Sequence, residues 1–168
     1  ISMKKLAKLT ALLLTGVMLL LLASCGAAPL TPEQQARQEI FNAINEVRQK
    51  AGSPLLREVP ALTQLEQEFI ENFRKAGTKG IPSSEADQLY NELQKKQKEA
   101  GWENTGSINY DNSNPAKLDT VYEGDTPEFR QELINLGFAS DSSTAISIGV
   151  VTIEGKIYWT ASILVPKT

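Results

Sequence analysis

Two alternating segments near the C-terminus constrain the fold of this chain most strongly. Apolar residues alternate with small or polar ones over residues 146–150 and again over residues 157–165. Alternation with a period of two is typical of a β-strand. The compact Glu154-Gly155 sequence between the two segments favours a tight turn. The sequence therefore predicts a long antiparallel hairpin at this end of the chain.

Four helices are expected before the hairpin, and each has its own start and stop signals. Thr, Ser or Pro stands at each start and Gly at each end, as is usual for helix termini. Apolar residues recur in these segments at the three- and four-residue spacing of a buried helix face. The helices are expected over residues 31–51, 60–77, 84–101 and 126–137, and short strands over residues 108–110 and 118–122. Helices followed by a closing hairpin predict an α+β fold in which helices pack on an antiparallel sheet.

The N-terminal region has the form of an export signal. Lys4, Lys5 and Lys8 precede an apolar run over residues 9–23, which is shorter than the roughly 20 residues that a membrane-spanning helix needs. A basic segment followed by a short apolar run is typical of a secretory signal peptide. The run ends in Leu-Ala-Ser-Cys at residues 22–25, which resembles the lipobox of bacterial lipoproteins, where the Cys is acylated after cleavage.

We therefore expect a lipoprotein signal peptide over residues 1–24, lipidated Cys25 with a tether over residues 25–31, and one folded domain over residues 32–168. Several acyl chains on one Cys give stable anchoring, because each buried CH₂ group contributes about 0.8 kcal/mol. The expected location is the extracytoplasmic side of a bacterial membrane. The alternatives are an ordinary signal peptide, or a buried apolar helix, with an incidental Cys.

Histidine is absent from the chain, and Cys25 is its single cysteine. Histidine is the commonest metal ligand and the usual general base near neutral pH. Its absence excludes Ser-His-Asp and Cys-His catalysis and nearly all zinc chemistry. A single cysteine excludes a disulfide framework. We therefore expect no metal and no cofactor.

The domain expected after cleavage is acidic. The chain has 17 Lys and Arg against 20 Asp and Glu, and residues 1–24 hold three of the lysines, which leaves 14 against 20, a net charge of −6. Such a domain is unsuited to nucleic acid, where neutralisation of phosphates drives affinity. The basic cluster at residues 95–98 favours a solvated helix face, with contact to anionic headgroups or wall polymers as the alternative. We expect a monomer that binds no nucleic acid.

Five short motifs follow one another along the chain. They are Ile44-Asn45-Glu46-Val47-Arg48 continuing through Ala51-Gly52 to Pro54-Leu55, the helical segment 62–69, Ala100-Gly101-Trp102, Thr126-Pro127-Glu128-Phe129-Arg130, and the paired segments Ile148-Gly149-Val150 and Tyr158-Trp159-Thr160. In this order they resemble the CAP superfamily, also named the SCP domain. The resemblance implies an α–β–α sandwich, with helices on both faces of an antiparallel sheet and a cleft over the sheet.

The chain departs from the CAP pattern at the residues of the family's cleft. That cleft usually carries two histidines and two acidic residues, which can bind a divalent metal. Phe129 stands in place of one histidine, and the other is missing around residues 77–81. Glu66 replaces a small Ala, and Gly-Ser-Ile at residues 106–108 replaces a segment that holds one acid. The resemblance therefore carries over neither the metal site nor an activity that depends on it.

Carboxylates and aromatic rings make up the candidate cleft, namely Glu66, Trp102, Glu103, Tyr110, Glu123 and Phe129. Two carboxylates about 5–9 Å apart can hydrolyse a glycoside, and the same loop-rich segment also holds Asp111, Asp119 and Asp125. The alternative is a solvated acidic loop. Aromatic rings suit stacking on sugars or lipids, with ordinary core packing as the alternative. Phe129 favours an apolar cleft floor, either a filled core or a hydrophobic ligand pocket.

The leading functional expectation is a membrane-anchored lipoprotein whose domain is a non-catalytic binding or interaction module. Its ligand would be a lipid, a wall glycan or another envelope protein. This expectation combines the lipobox, the ordered CAP-like motifs and the missing histidines. The alternatives are a carboxylate-based cell-wall hydrolase and a structural or adhesion protein of the envelope.

Overall fold

Four α-helices and five β-strands make up the part of the chain that the computed structural model describes, residues 28–168. The helices are α1 (Pro32–Lys50), α2 (Pro60–Ala76), α3 (Ser83–Glu99) and α4 (Pro127–Asn135). The strands are β1 (Arg57–Glu58), β2 (Trp102–Ile108), β3 (Val121–Tyr122), β4 (Ala145–Ile153) and β5 (Lys156–Pro166). Residues Pro32–Thr168 form one unit, and its α+β class is the one predicted. The predicted signal peptide and Cys25 lie outside the described residues.

The four predicted helices are confirmed, with ends close to those expected. Thr126 caps α4, since its hydroxyl accepts a hydrogen bond from Phe129 N at 3.1 Å. Gly77 ends α2 with φ 60°, a left-handed conformation that glycine adopts without strain. None of the helices in this part of the chain is long and apolar enough to cross a membrane.

The sheet is mixed, because one strand runs parallel to its neighbour. The strand order is β1-β4-β5-β2, and β3 also pairs with β5. The described pairs are antiparallel except β1 with β4, where Arg57 lies opposite Ala145. The expectation of a wholly antiparallel sheet is therefore wrong at this edge, since a two-residue strand is too short to show a pattern. The strand expected over residues 108–110 is also misplaced, because β2 occupies Trp102–Ile108.

Asn45 on α1 explains where β1 lies. Its Nδ2 donates to the Leu56 carbonyl oxygen at 2.9 Å, and its Oδ1 accepts from Leu56 N at 2.8 Å. This pair of bonds mimics the partner strand that Leu56 lacks, and it fixes the segment leading into β1. Arg57 N then donates to Thr144 O at 3.1 Å.

The strands β4 and β5 form the predicted hairpin and bury both of their faces. The two-residue turn has φ 49° at Glu154 and φ 77° at Gly155, as a tight hairpin turn requires. The face that packs with α1 and α4 carries Ile146, Ile148, Val150, Trp159 and Ala161. The face that packs with α2 and α3 carries Ala145, Val151 and Leu164. Helices therefore cover both faces of the sheet.

Arg48 ties α1 to the segment before β4. Its fully buried guanidinium donates to the carbonyl oxygens of Pro54 at 2.7 Å and Phe138 at 3.1 Å. It also forms an ion pair with Asp141 at 3.2 Å. A buried charge is tolerated when it is paired and hydrogen-bonded, so this side chain has a structural role.

Gly149 lets α2 approach β4 closely. A Cβ atom at this position would lie 2.9 Å from the Glu66 carbonyl oxygen and 2.9 Å from Ile70 Cγ2. Atoms of a dense core do not approach this closely, so a larger residue would displace α2.

Gly149→Ala is expected to destabilise the domain by about 1–3 kcal/mol, the usual cost of overpacking a core. The added methyl group would press on the backbone of α2, which yields only if the helix shifts. Gly106→Ala is the matched control, because its Cβ would meet the flexible end of Ile163 at 3.2 Å. Urea unfolding followed by circular dichroism compares the two variants. Equal losses of unfolding free energy in the two variants would contradict a close approach of α2 that is specific to Gly149.

Candidate functional site

Phe129 stands where the CAP resemblance expects a cleft histidine, and aromatic rings surround it. Its ring meets that of Tyr122 edge-on at 5.1 Å and that of Trp159 at 6.1 Å between centroids. The three side chains are buried. The Tyr122 hydroxyl donates to Glu39 on α1 at 2.6 Å. These contacts form a filled core rather than a hydrophobic ligand pocket.

The other aromatic candidates make internal contacts. Trp102 begins β2, and its ring centroid lies 5.2 Å from the guanidinium carbon of Arg57. Tyr110 packs on Phe73 with 5.5 Å between ring centroids, and its hydroxyl donates to Asp87 at 2.8 Å. Both rings therefore have partners within the domain.

Glu103 and Glu123 are exposed and lie far apart. Glu103 pairs with Val165 of β5, whereas Tyr122, next to Glu123, pairs with Ile157. Eight residues of strand at about 3.3 Å each separate these positions by about 26 Å. A glycosidase pair needs a separation of about 5–9 Å, so these two carboxylates do not form one.

The aspartates of the same segment are engaged in local contacts. Asp125 accepts two hydrogen bonds from Arg130, each 2.7 Å long, and the guanidinium lowers the pKa of this carboxyl. Asp111 accepts from the hydroxyl and backbone N of Ser113, which lowers its pKa. Asp119 accepts from the Thr120 hydroxyl at 3.3 Å. Residues 28–168 contain no group of three or more acidic, His or Cys side chains placed to hold a metal ion.

The six candidate residues do not surround one common cleft. Glu66 has the most unusual surroundings among them. It lies on α2 facing the sheet and is 0% exposed. Its Oε2 accepts hydrogen bonds from the hydroxyls of Ser162 at 2.7 Å and Ser147 at 3.1 Å. Its Oε1 has no hydrogen-bond partner among the described residues. No Lys or Arg in that part of the chain forms an ion pair with it.

The serines that bind Glu66 belong to a row across the sheet. Ser107 in β2 lies opposite Ser162 in β5, which in turn lies opposite Ser147 in β4. The Ser107 and Ser162 hydroxyl oxygens are 3.4 Å apart. Side chains directly opposite each other on neighbouring strands are in contact range. The sheet therefore presents a strip of hydroxyls to α2.

Hydrogen bonds continue from this row to α3. The Tyr90 hydroxyl donates to Ser107 Oγ at 3.0 Å, and Gln94 donates to the Tyr90 hydroxyl at 3.1 Å. Asn104 also donates to Ser107 Oγ at 2.8 Å. Tyr90 and Gln94 are half-buried. The network therefore connects the buried carboxyl with side chains that solvent reaches.

Burial raises the pKa of Glu66 from its ordinary value of 4.5 to about 7, because desolvation disfavours the charged form. The hydroxyls of Ser162, Thr160 and Ser147 lower the pKa only in part. Thr160 lies near enough to act on the carboxyl, although its Oγ1 makes no hydrogen bond of good geometry within residues 28–168. In a chain without histidine, this carboxyl is the candidate for a charge change near neutral pH.

Sequence reasoning identifies Glu66 but misses the hydroxyl row. Glu66 lies four residues after Leu62 and three before Phe69, inside the buried stripe of α2, so helical spacing could have placed it in the interior. Ser147 and Ser162 alternate with apolar residues in their strands. That alternation does not reveal that a second layer of helices covers the small residues.

A groove of about 220 Å³ lies between α2 and α3. Its lining combines apolar and polar side chains, namely Leu65, Glu68, Phe69, Asn72, Leu89, Glu92, Leu93 and Lys96. Lys96 pairs with Glu92 at 3.2 Å, in an exposed contact that contributes little stability. The basic run at residues 95–98 is exposed except for Gln97, which is buried.

The free energy of unfolding is expected to fall as the pH rises from about 4.5 to about 7 and to level off above pH 7. The folded state holds the Glu66 proton more tightly than the unfolded chain, because the pKa is about 7 in the fold and near 4.5 outside it. The stabilisation is therefore complete below pH 4.5, declines between pH 4.5 and 7, and is lost once the pH has risen through 7. One pKa unit corresponds to about 1.4 kcal/mol, so the whole loss is about 3 kcal/mol.

Urea unfolding at several pH values between 5 and 9 measures this dependence. Glu66→Gln keeps the shape of the side chain and cannot ionise, so its stability is expected to stay nearly constant over this range. Glu68→Gln changes an exposed carboxyl on the same helix and should keep the slope of the unmodified protein. An unmodified protein with no fall between pH 6 and 8 would contradict the raised pKa.

The chain has no match among protein-family models, curated proteins or solved structures. The resemblance to the CAP superfamily therefore stays a prediction based on the short motifs that carry it. The function of this domain has to be inferred from its own residues and contacts.

Proposed function

We propose that this chain is an extracytoplasmic lipoprotein whose domain binds a ligand or partner in the cell envelope without catalysing a reaction. The packing of Phe129 carries this proposal. Its ring is held by edge-on contacts with Tyr122 and Trp159, at the position where the CAP resemblance would place a histidine. A phenyl ring neither binds a metal nor transfers a proton, so that position cannot supply cleft chemistry.

A CAP-like scaffold is part of the same proposal. Asn45 and Arg48 belong to the first motif, and they fix the Leu56 and Pro54 segment that leads into β1. Gly149 belongs to the closing hairpin and gives α2 room to approach the sheet. These roles concern the packing of helices on a sheet. They support a scaffold that has kept its framework residues without its cleft histidines.

The ligand classes within reach of a membrane-anchored domain are lipids, wall glycans and neighbouring envelope proteins. A hydrolase that acts through Glu103 and Glu123 is not favoured, because β5 separates their positions by about 26 Å. The remaining aspartates of that segment are held by local hydrogen bonds. Binding without turnover is therefore the function that the geometry supports best.

Co-sedimentation of the purified full chain with isolated wall glycan, and separately with lipid vesicles, tests binding against turnover. We expect the protein to sediment with at least one of them, while mass spectrometry of the supernatant finds no newly released sugar fragments or fatty acids. Glu103→Gln and Glu123→Gln should leave both results unchanged. Released fragments that disappear in either variant would contradict the proposal and favour the hydrolase. Sedimentation with neither material would leave envelope proteins as the ligand class, testable by crosslinking in intact envelopes.

Membrane attachment is expected to depend on Cys25. Cys25→Ser should move the protein from the membrane fraction to the soluble fraction, because the acyl chains would have no thiol to join. Ser24→Ala, which keeps a small residue before the Cys, is the matched control and should leave attachment intact. Cell fractionation and the intact mass of the purified protein are the measurements. Unchanged membrane attachment of Cys25→Ser would contradict a lipid anchor at this residue.

A further inference from the structure

The Glu66 carboxyl lies where few neighbouring groups stabilise a negative charge. The groups that face it from the sheet are hydroxyls of β4 and β5, and β4 contains no charged residue. Toward α3, the titratable group in its network is Tyr90, two hydroxyls away. Burial and hydroxyls alone set its pKa, with no contribution from a charged neighbour within the described range. Glu68, Glu92 and Lys96 line the groove outside this network.

We propose that the Glu66 carboxyl is a proton-operated latch, which in its neutral form holds α2 and α3 against the sheet and in its ionised form releases them. This inference is independent of the proposed function, because it rests on the contacts of Glu66 with the sheet and on the network that continues to α3.

The neutral carboxyl can satisfy the hydrogen-bonding groups around it. A protonated carboxyl is both a donor and an acceptor. Its Oε2 can go on accepting from Ser147 and Ser162, while the proton on Oε1 is free to donate. Thr160 lies on the same face of β5 as Ser162, and within residues 28–168 its hydroxyl also lacks a partner. The neutral form therefore has a hydrogen-bond acceptor at hand for its proton.

The ionised carboxyl does not satisfy its site. Loss of the proton leaves charge on Oε1, which has no hydrogen bond of good geometry within the described residues. The nearby Thr160 hydroxyl and the two serines lower the pKa only in part, so they do not offset the cost of burying the charge. Water has little room to enter while α2 is seated, because the Glu66 backbone packs directly on Gly149 of β4. A buried charge without a partner is costly. Lifting α2 from the sheet, with α3 that packs on it, is the direct way to hydrate the charge.

The proton has a route to solvent that does not require unfolding. From Glu66 Oε2 the hydrogen bonds run through Ser162 and Ser107 to Tyr90. A half-turn of the carboxyl group exchanges its two oxygens, so the proton held on Oε1 can be brought to Ser162, which then passes its own proton on to Ser107. Each of these groups is a hydroxyl, which can accept one proton while it gives up another. Tyr90 is half-buried, so the far end of this chain reaches the surface. The charge on Glu66 can therefore follow the pH outside the domain.

Release of the latch changes the groove between α2 and α3. Leu65 and Phe69 come from the same helix as Glu66, and Leu89 and Leu93 come from α3. These four side chains give the groove its apolar lining. Because both walls are the helices that the latch holds, ionisation of Glu66 would expose more of this apolar surface.

Hydrogen–deuterium exchange of the full chain in detergent at pH 5.5 and pH 8.5 tests the latch, with reaction times scaled for the intrinsic effect of pH. At the higher pH we expect amides of α2 and α3 to lose protection by about tenfold or more. Amides of α1, on the other face of the sheet, should change much less. A uniform loss over all helices, or no loss, would overturn the latch.

Variants and a direct titration assign the effect to Glu66. Glu66→Gln should abolish the pH dependence of exchange in α2, and Glu68→Gln should retain it. If Glu66→Gln fails to fold, the side-chain carbonyl ¹³C shift of Glu66 in the unmodified protein gives an independent answer. A midpoint near neutral pH supports the latch, and a midpoint near the ordinary value for glutamate overturns it. Persistence of the pH dependence in a folded Glu66→Gln variant would also overturn it.

Discussion

The pairing of β4 with β5 is the interaction on which the rest of the structure depends. In the described sheet β1 is attached through β4, and β2 and β3 are attached through β5. Both faces of the hairpin are covered, by α1 and α4 on one side and by α2 and α3 on the other. Its turn needs only two residues with positive φ, so a local sequence signal initiates the element that organises all the others.

The helices and the hairpin could be predicted because their signals are local. Apolar spacing, proline or Thr and Ser at helix starts, and glycine at helix ends each act within a few residues. The position of β1 could not be predicted, since it depends on the hydrogen bonds between Asn45 and Leu56. The register of β2 could not be predicted either, because it is set by pairing with β5. This pairing shifts by one residue between Asn104 and Gly106. Contacts between distant segments leave no periodic trace in the sequence.

The residues of the candidate site likewise divide into those that the sequence can identify and those that only the folded structure reveals. Glu66 could be identified as unusual, since a carboxyl inside an apolar helical stripe conflicts with its surroundings. The candidates from residues 102–129 are close in sequence, yet β2, β3 and α4 carry them to separate places. The hydroxyl row does the opposite, because Ser107, Ser147 and Ser162 come from distant segments and meet by strand register. Nearness along the chain was therefore a poor guide to nearness in space.

The sheet separates two interiors, and each combines aromatic rings with one fully buried arginine or glutamate side chain. On the α1 and α4 side, Phe129, Tyr122 and Trp159 make an aromatic cluster, and the buried Arg48 is paired with Asp141. On the α2 and α3 side, Phe69, Phe73 and Tyr110 make a second aromatic cluster, and the buried Glu66 is bound by hydroxyls. The two departures from the CAP pattern, Phe129 and Glu66, therefore lie on opposite faces of the sheet, so the position without a histidine and the position with a buried carboxyl belong to different interiors.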